Sequence, residues 1–185
     1  MMQVMDSLLE TVKVDQDSIA IAKQPFNLEH FMNRIDITVR EKIEKKNVQL
    51  KFEIKSQFKY LLGDEIRLHQ ALVALIHNAI SYTPISGEIK ITAKQIAADQ
   101  KKVFIRFMID DTGNGLTEKM KESIFGFSQK AGEGVVEEQH FDLSLASRIV
   151  QLMDGQIGMD YKESGTHLYF TIPFDLQADA KVSKS

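Results

Sequence analysis

The sequence predicts an α+β fold, a two-layer sandwich of helices on a mixed β-sheet. Apolar residues recur at helical spacing in some stretches and alternate strictly in others, and several alternating stretches are joined by tight turns. Hairpin links make neighbouring strands antiparallel, which separates this class from a doubly wound parallel sheet. At 185 residues the chain has the usual size of one domain, about 100 to 200 residues. Its 43% apolar and 26% charged residues are typical of a globular chain with a real core. Lys and Arg total 23 against 26 Asp and Glu, a formal net charge of -3, so no global positive field draws nucleic acid. The absence of cysteine excludes disulfides, thiolate zinc sites and cysteine nucleophiles. No stretch approaches the roughly 20 apolar residues of a membrane span, and Asp6 and Glu10 break any signal-peptide pattern.

Met5, Leu8, Leu9 and Val12 follow helical spacing with no N-cap before them, so the chain is expected to open partway along a helix. Pro25 stops any helix before it. Asn27 caps the next helix, whose stripe is Leu28, Phe31, Met32, Ile35, Val39 and Ile43. Val48, Leu50, Phe52 and Ile54 alternate as a half-buried strand. Asp64 caps a third helix carrying Leu68, Leu72, Leu75, Ile76, Ala79 and Ile80, and Thr83-Pro84 ends it. After a turn at Ser86-Gly87, Ile89, Ile91 and Ala93 alternate, AADQKK forms a polar loop, and Val103, Ile105, Phe107 and Ile109 alternate again. That pattern predicts a hairpin.

DDTGNGL follows, then a short helix over 117–125. The stretch from Gly126 to about His140 has neither period and is expected to be a long loop of the functional kind. A helix with Leu145, Ile149, Val150 and Leu152 is expected to close at Gly155 in the left-handed conformation. Strands over 156–161 and 166–174 flank a turn at Glu163-Ser164-Gly165. The polar tail from Gln177 is expected to fray.

Four places draw notice for ligand chemistry: DDTGNGL, the helix of Asn78, the long loop with Gly132 and Gly134 before the last helix, and Ser164-Gly165-Thr166. In DDTGNGL, Asp111 leaves a rigid strand, and Gly113 and Gly115 permit close approach of the backbone to a ligand. Its carboxylate only accepts hydrogen bonds, which suits a planar ligand with an exocyclic amine such as adenine, although Asn-Gly is also a common turn. A calcium loop from Asp110 is excluded, because Thr112 and Lys121 stand at its third and last ligand positions. Asn78 is a poor helix former set beside an apolar stripe. It is either a satisfied polar residue or a ligand for Mg2+ or phosphate. No GxxxxGK[ST] loop exists, so a nucleotide would not be held in the Walker manner.

These features in this order, with the glycine-bearing loop before the last helix and Ser164-Gly165-Thr166 opening the last strand, resemble the catalytic ATP-binding domain of sensor histidine kinases. The wider superfamily includes gyrase, Hsp90 and MutL. The resemblance runs over about residues 20 to 175 and includes IFGFSQ, RIVQLMDGQIG and SGTHLYFTIPF. It implies ATP or ADP with Mg2+ as cofactors, Asn78 as the Mg2+-binding asparagine and Asp111 as the adenine-binding aspartate. Gly113 and Gly115 would form the first glycine box, and Phe125 and Phe127 the aromatic hinge of an ATP lid. Thr166 and Tyr82 would lie near the base, with Lys130 as a phosphate cation.

The resemblance also implies a division into the end of a dimerisation-type helix and linker (1–22), an ATP-binding catalytic domain (23–175) and a flexible tail (176–185). It implies γ-phosphoryl transfer to a histidine on dimerisation helices of a parent protein, since none of the five histidines here has the acceptor context. Expected partners are those phosphoacceptor helices, a response regulator, and a second copy through the first helix; nucleic acid and membrane contact are not expected. The setting implied is cytoplasmic, including the inner part of a membrane sensor. The pattern departs from the family at the second glycine box, where His140-Phe141-Asp142-Leu143 replaces GxGL. Asp142 is there expected to cap the following helix itself. Ala74 and Ser81 replace two further polar positions. A nucleotide-hydrolysing relative of the gyrase type would need a glutamate base where Ala74 stands. An alternative to an active kinase is therefore a degenerate domain that serves as a binding or phosphotransfer adaptor.

Overall fold

The computed structural model describes residues 21–113, 138–161 and 165–176, with the backbone alone for 138–142, 160 and 161. In chain order the elements are β1 (Gln24–Asn27), α1 (Leu28–Lys46), β2 (Gln49–Lys55), β3 (Tyr60–Gly63) and α2 (Glu65–Tyr82). The hairpin β4 (Glu88–Ala98) and β5 (Lys102–Asp111) follows, then α3 (Glu138–Leu152), β6 (Gln156–Tyr161) and β7 (Thr166–Asp175). The strands form one seven-stranded sheet in the order β1-β3-β7-β5-β4-β2, with β6 also paired to β7. β2 and β4 run parallel because the chain between them crosses over through α2, and every other described pair is antiparallel. The expected two-layer α+β sandwich is the observed fold.

Strand parity builds the core. On β5 Val103, Ile105, Phe107 and Ile109 face inward, and on β7 so do Leu168, Phe170, Ile172 and Phe174. They meet the apolar stripes of α1, α2 and α3 in one continuous cluster. Phe107 and Phe170 are paired in register and stack at 5.0 Å, and Phe31 of α1 meets Phe107 edge-on at 6.2 Å. Burial of each such side chain stabilises by about 1.5 to 3 kcal/mol. The helices start where the caps predict. Asn27 Oδ1 accepts from His30 N at 3.0 Å, and Asp64 Oδ1 accepts from Arg67 N at 3.0 Å.

Three expectations are corrected. AADQKK is not all loop, because β4 continues to Ala98 and only a tight turn remains, with Asp99 Oδ1 accepting from Lys101 N at 2.7 Å and Lys102 N at 2.8 Å. A bulge between Gln95 and Ala97 breaks the alternation there, which hides the end of the strand from a parity reading. α3 begins at Glu138, so it takes in the end of the expected loop, and Asp142 lies inside the helix rather than at its N-cap. At its other end Asp154, not Gly155, takes the left-handed conformation (φ 57), while Gly155 N donates to Val150 O at 2.8 Å. The expected helices over 5–12 and 117–125 and the tail from Gln177 lie outside the described residues. No helix among the described residues is long and apolar enough to cross a membrane.

Candidate functional site

The same parity that builds the core carries Asp111 inward at the end of β5. It is 9% exposed and stands in register with Thr166, the first residue of β7, which is 8% exposed. Burial pushes the Asp111 carboxyl up from its ordinary range. Hydrogen bonds from Gly113 N, at 2.8 Å, and from the Thr166 backbone N–H and hydroxyl oppose that shift. An ionised carboxylate offers about four acceptor sites. Three donors are in place among the described residues, and as a pure acceptor the carboxylate suits a further N–H.

Two glycines shape the surroundings of Asp111. Gly165 takes φ +87, and a Cβ there would lie 1.9 Å from Asp111 O, so no other residue lets β7 begin this close to β5. A Cβ on Gly113 would lie 2.7 Å from Tyr82 O and 2.8 Å from Asp111 Oδ1. The glycine loop is thus pressed between the end of α2 and the carboxylate. Thr112 anchors the loop on its far side: its N donates to Glu88 O at 3.1 Å, and its Oγ1 accepts from Glu88 N at 2.9 Å. The sequence placed Gly165 in a turn and in the Ser164-Gly165-Thr166 start of the last strand; its place against Asp111 needs the strand register.

One turn before Tyr82, Asn78 is 8% exposed and its Oδ1 is buried without a hydrogen-bond partner among the described residues. A buried unpaired acceptor costs about 1 to 3 kcal/mol. That orphan oxygen fits a hard cation, which takes oxygen ligands. No group of three or more His, Asp or Glu gathers to hold a metal among the described residues. Among the described residues a cation here would have Asn78 Oδ1 as its protein ligand, together with ligand oxygens.

Ser81 and His77 of α2 are engaged within the fold. Ala74, one turn before Asn78, is buried and brings no polar atom. Ser81 Oγ donates to His77 O at 3.0 Å. α2 has no basic residue in its last turn, and Lys46 of α1 supplies the cation instead, its Nζ donating to Ile80 O at 2.6 Å and Ser81 O at 2.7 Å. Lys42 Nζ lies 3.1 Å from His77 Nδ1, and burial followed by that ammonium pushes His77 down to about 4. The structure therefore brings together Asn78, Tyr82, Asp111, Gly113 and Thr166 of the expected site. Gly115, Phe125, Phe127 and Lys130 lie outside the described residues.

An inward carboxylate at a strand end, a glycine pressed on a helix and an orphan amide oxygen on that helix thus meet at one end of the sheet of an α+β domain. Residues 63–176 match the family described as histidine kinase-, DNA gyrase B-, and HSP90-like ATPase, and the chain belongs to that family. The adaptive-response sensory kinase SasA of Thermosynechococcus vestitus is 28% identical over 173 residues, 92% of this chain and 44% of that protein. The nucleotide-free catalytic domain of histidine kinase ThkA superposes with a TM-score of 0.66 at 28% identity, covering 84% of this chain and 96% of that one. ThkA in complex with the response regulator protein TrrA gives a TM-score of 0.69 at 24% identity over 97% of this chain and 49% of that chain. Full-length ShkA in complex with AMPPNP shares the fold, with a TM-score of 0.76 at 23% identity over 94% of this chain and 35% of that chain. Within the family, then, this is a histidine kinase-type ATPase domain, and it spans less than half the length of the curated relatives it matches.

Proposed function

We propose that this chain binds ATP with Mg2+ and is the catalytic domain of a two-component sensor kinase, supplying the γ-phosphoryl group to a histidine outside the chain. The observation that carries this reading is the buried, unpartnered Oδ1 of Asn78, one turn from the glycine loop that Asp111 holds. In this reading Asp111 accepts the adenine amine, the Thr166 bonds fix its carboxylate, and Gly113 lets the backbone approach the base beside Tyr82. Asn78 holds the Mg2+ of the nucleotide. Gly115, Phe125, Phe127 and Lys130 complete the site as glycine loop, lid hinge and phosphate contact. A histidine nitrogen of the parent's phosphoacceptor helices attacks the γ-phosphorus, the bond to the β,γ-bridging oxygen breaks, and ADP leaves. Bound Mg2+ would supply charge neutralisation, while this chain's residues position the nucleotide. Residues 1–22 then end a dimerisation-type helix and linker, a response regulator is the downstream partner, and the setting is cytoplasmic.

A second reading, a domain that binds nucleotide with little turnover and acts as an adaptor, is favoured by two observations on either side of Asn78 in α2. Ala74 offers no ligand, and the Ser81 hydroxyl is engaged by His77 O. Labelled ATP incubated with this chain and the parent's phosphoacceptor segment decides between them. Acid-labile label on that segment is the expected result. Nucleotide binding without label transfer would move the assignment to the adaptor.

A further inference from the structure

The chain enters the domain beside the helix that carries Asn78. Asp64, the N-cap of α2, is 6% exposed and divides its carboxylate between two jobs. Its Oδ1 accepts from Arg67 N at 3.0 Å, which is the cap. Its Oδ2 accepts from Ala22 N at 3.0 Å and pairs with Arg67 Nε at 3.4 Å. The bond to Ala22 spans 42 positions of sequence and joins the entering chain directly to the first turn of α2. The neighbouring contacts lie at the same corner. Ile21 packs against the core, Lys23 Nζ meets Asp175 Oδ2 at 2.6 Å, and Gln24 pairs with Gly63, the residue before Asp64.

We propose that Asp64 is a positioning residue that locks the chain entering at Ala22 to α2, so that the direction of entry and the bearing of the nucleotide site are fixed relative to one another. The proposal rests on the ATP reading for its functional consequence alone. Of the two side-chain links between the entering chain and this corner, the Lys23–Asp175 pair is exposed and contributes little. The Asp64 bond is made by a buried carboxylate, and leaving such a group half-satisfied is costly. Leverage explains why the bond matters. α2 has 18 residues, about 27 Å at its rise per residue, with Asp64 at one end and Tyr82 at the other. A tilt of about 10° at the entry would displace the far end by about 5 Å on that length, whereas phosphoryl transfer needs reacting atoms within about 3.5 Å of each other. A carboxylate that both caps the helix and holds the entering backbone at Ala22 extends the constraint of the β1–β3 pairing to the residues before β1.

Two variants of the whole chain test the lock. Asp64→Asn keeps an oxygen for Arg67 N but turns an amide NH2 toward the Ala22 N–H, and Ala22→Pro deletes the donor without touching α2. Tryptic cleavage after Lys23 and hydrogen exchange at Lys23 and Gln24 are expected to rise about tenfold, the loss of one buried hydrogen bond. Exchange in α1 from Phe31 to Val39 should keep the parent rate. If Asp64→Asn fails to fold, Ala22→Pro decides alone. Parent rates of cleavage and exchange in the folded variants would overturn the lock. Equal acceleration through α1 would overturn it too, since Asp64 would then hold the whole fold rather than the entry. Titration of the parent with Mg-AMPPNP runs beside this test. A parent that fails to bind would sink the nucleotide reading, and the exchange result would still judge the lock.

Discussion

Asp110 and Asp111 are one step apart on β5 and lie on opposite faces of the sheet. Asp110 Oδ1 meets His167 Nδ1 at 2.6 Å on the outer face, while Asp111 points into the domain and is held by the glycine loop and Thr166. That choice was legible in the sequence, because the alternation of Val103, Ile105, Phe107 and Ile109 assigns the odd-numbered residues inward. Asp111→Asn should weaken nucleotide binding by about 1 to 3 kcal/mol, roughly 5- to 150-fold, because the amide keeps its oxygen for Gly113 N and faces the adenine amine with a second donor. Calorimetric titration of the folded variant reads this, with its circular dichroism spectrum as the control for folding; the melting temperature is expected to fall as well, because the amide cannot accept from all three donors. His77 sets a second residue-scale expectation. Its folded value near 4 is below the ordinary 6.5, so the unfolded chain takes up the proton first. Its stabilising contribution is complete above about pH 6.5, declines as pH falls and is gone below about 4. For a half-buried ring this is worth about 1 kcal/mol after solvent screening. His69, also held low by burial and then by Arg34, adds to the same limb. His77→Gln should flatten the loss of melting temperature between pH 6.5 and 4; an unchanged acid limb would contradict the assignment.

The longer elements were readable because each repeats its signal: α1 and α2 show several turns of one stripe with a capping Asn27 or Asp64, and β5 and β7 alternate over ten residues each. β1 and β3, at four residues each, are too short for an alternation to stand out, and they are strands through their pairing with each other and with β7. The close of α3 was misread for a different reason. Glycine is the usual left-handed residue, but Asp154 takes that conformation, and Gly155 is instead required for space against Thr171 O and Ile172 Cδ1. At Gly165 both requirements coincide. Gly165→Ala should therefore destabilise the domain by about 2 to 4 kcal/mol, combining a left-handed alanine with displacement of β7 from β5. A urea midpoint shift with an unchanged slope would confirm it, and a stability within 0.5 kcal/mol of the parent, roughly the scatter for neutral substitutions, would not be compatible with the register at Asp111.

At the scale of the molecule, the sandwich brings the end of α2, the end of β5 and the start of β7 to one corner, and the entry of the chain to the other end of α2. The sequence marked Asn78 as out of place in an apolar helix, but that its Oδ1 is buried and unsatisfied emerges only from packing. An unsatisfied acceptor is a standing cost that a bound cation would relieve. Asn78→Ala should therefore leave stability within about 1 kcal/mol of the parent in Mg2+-free buffer, with a small cavity offsetting the removed orphan. The measurement that bears most directly on the account is calorimetric titration of the folded chain and of Asn78→Ala with AMPPNP, with and without Mg2+. The account predicts that the parent binds and binds more tightly with Mg2+, while Asn78→Ala binds the nucleotide equally with and without the metal. No binding by the folded parent, or the same Mg2+ enhancement in Asn78→Ala, would contradict it.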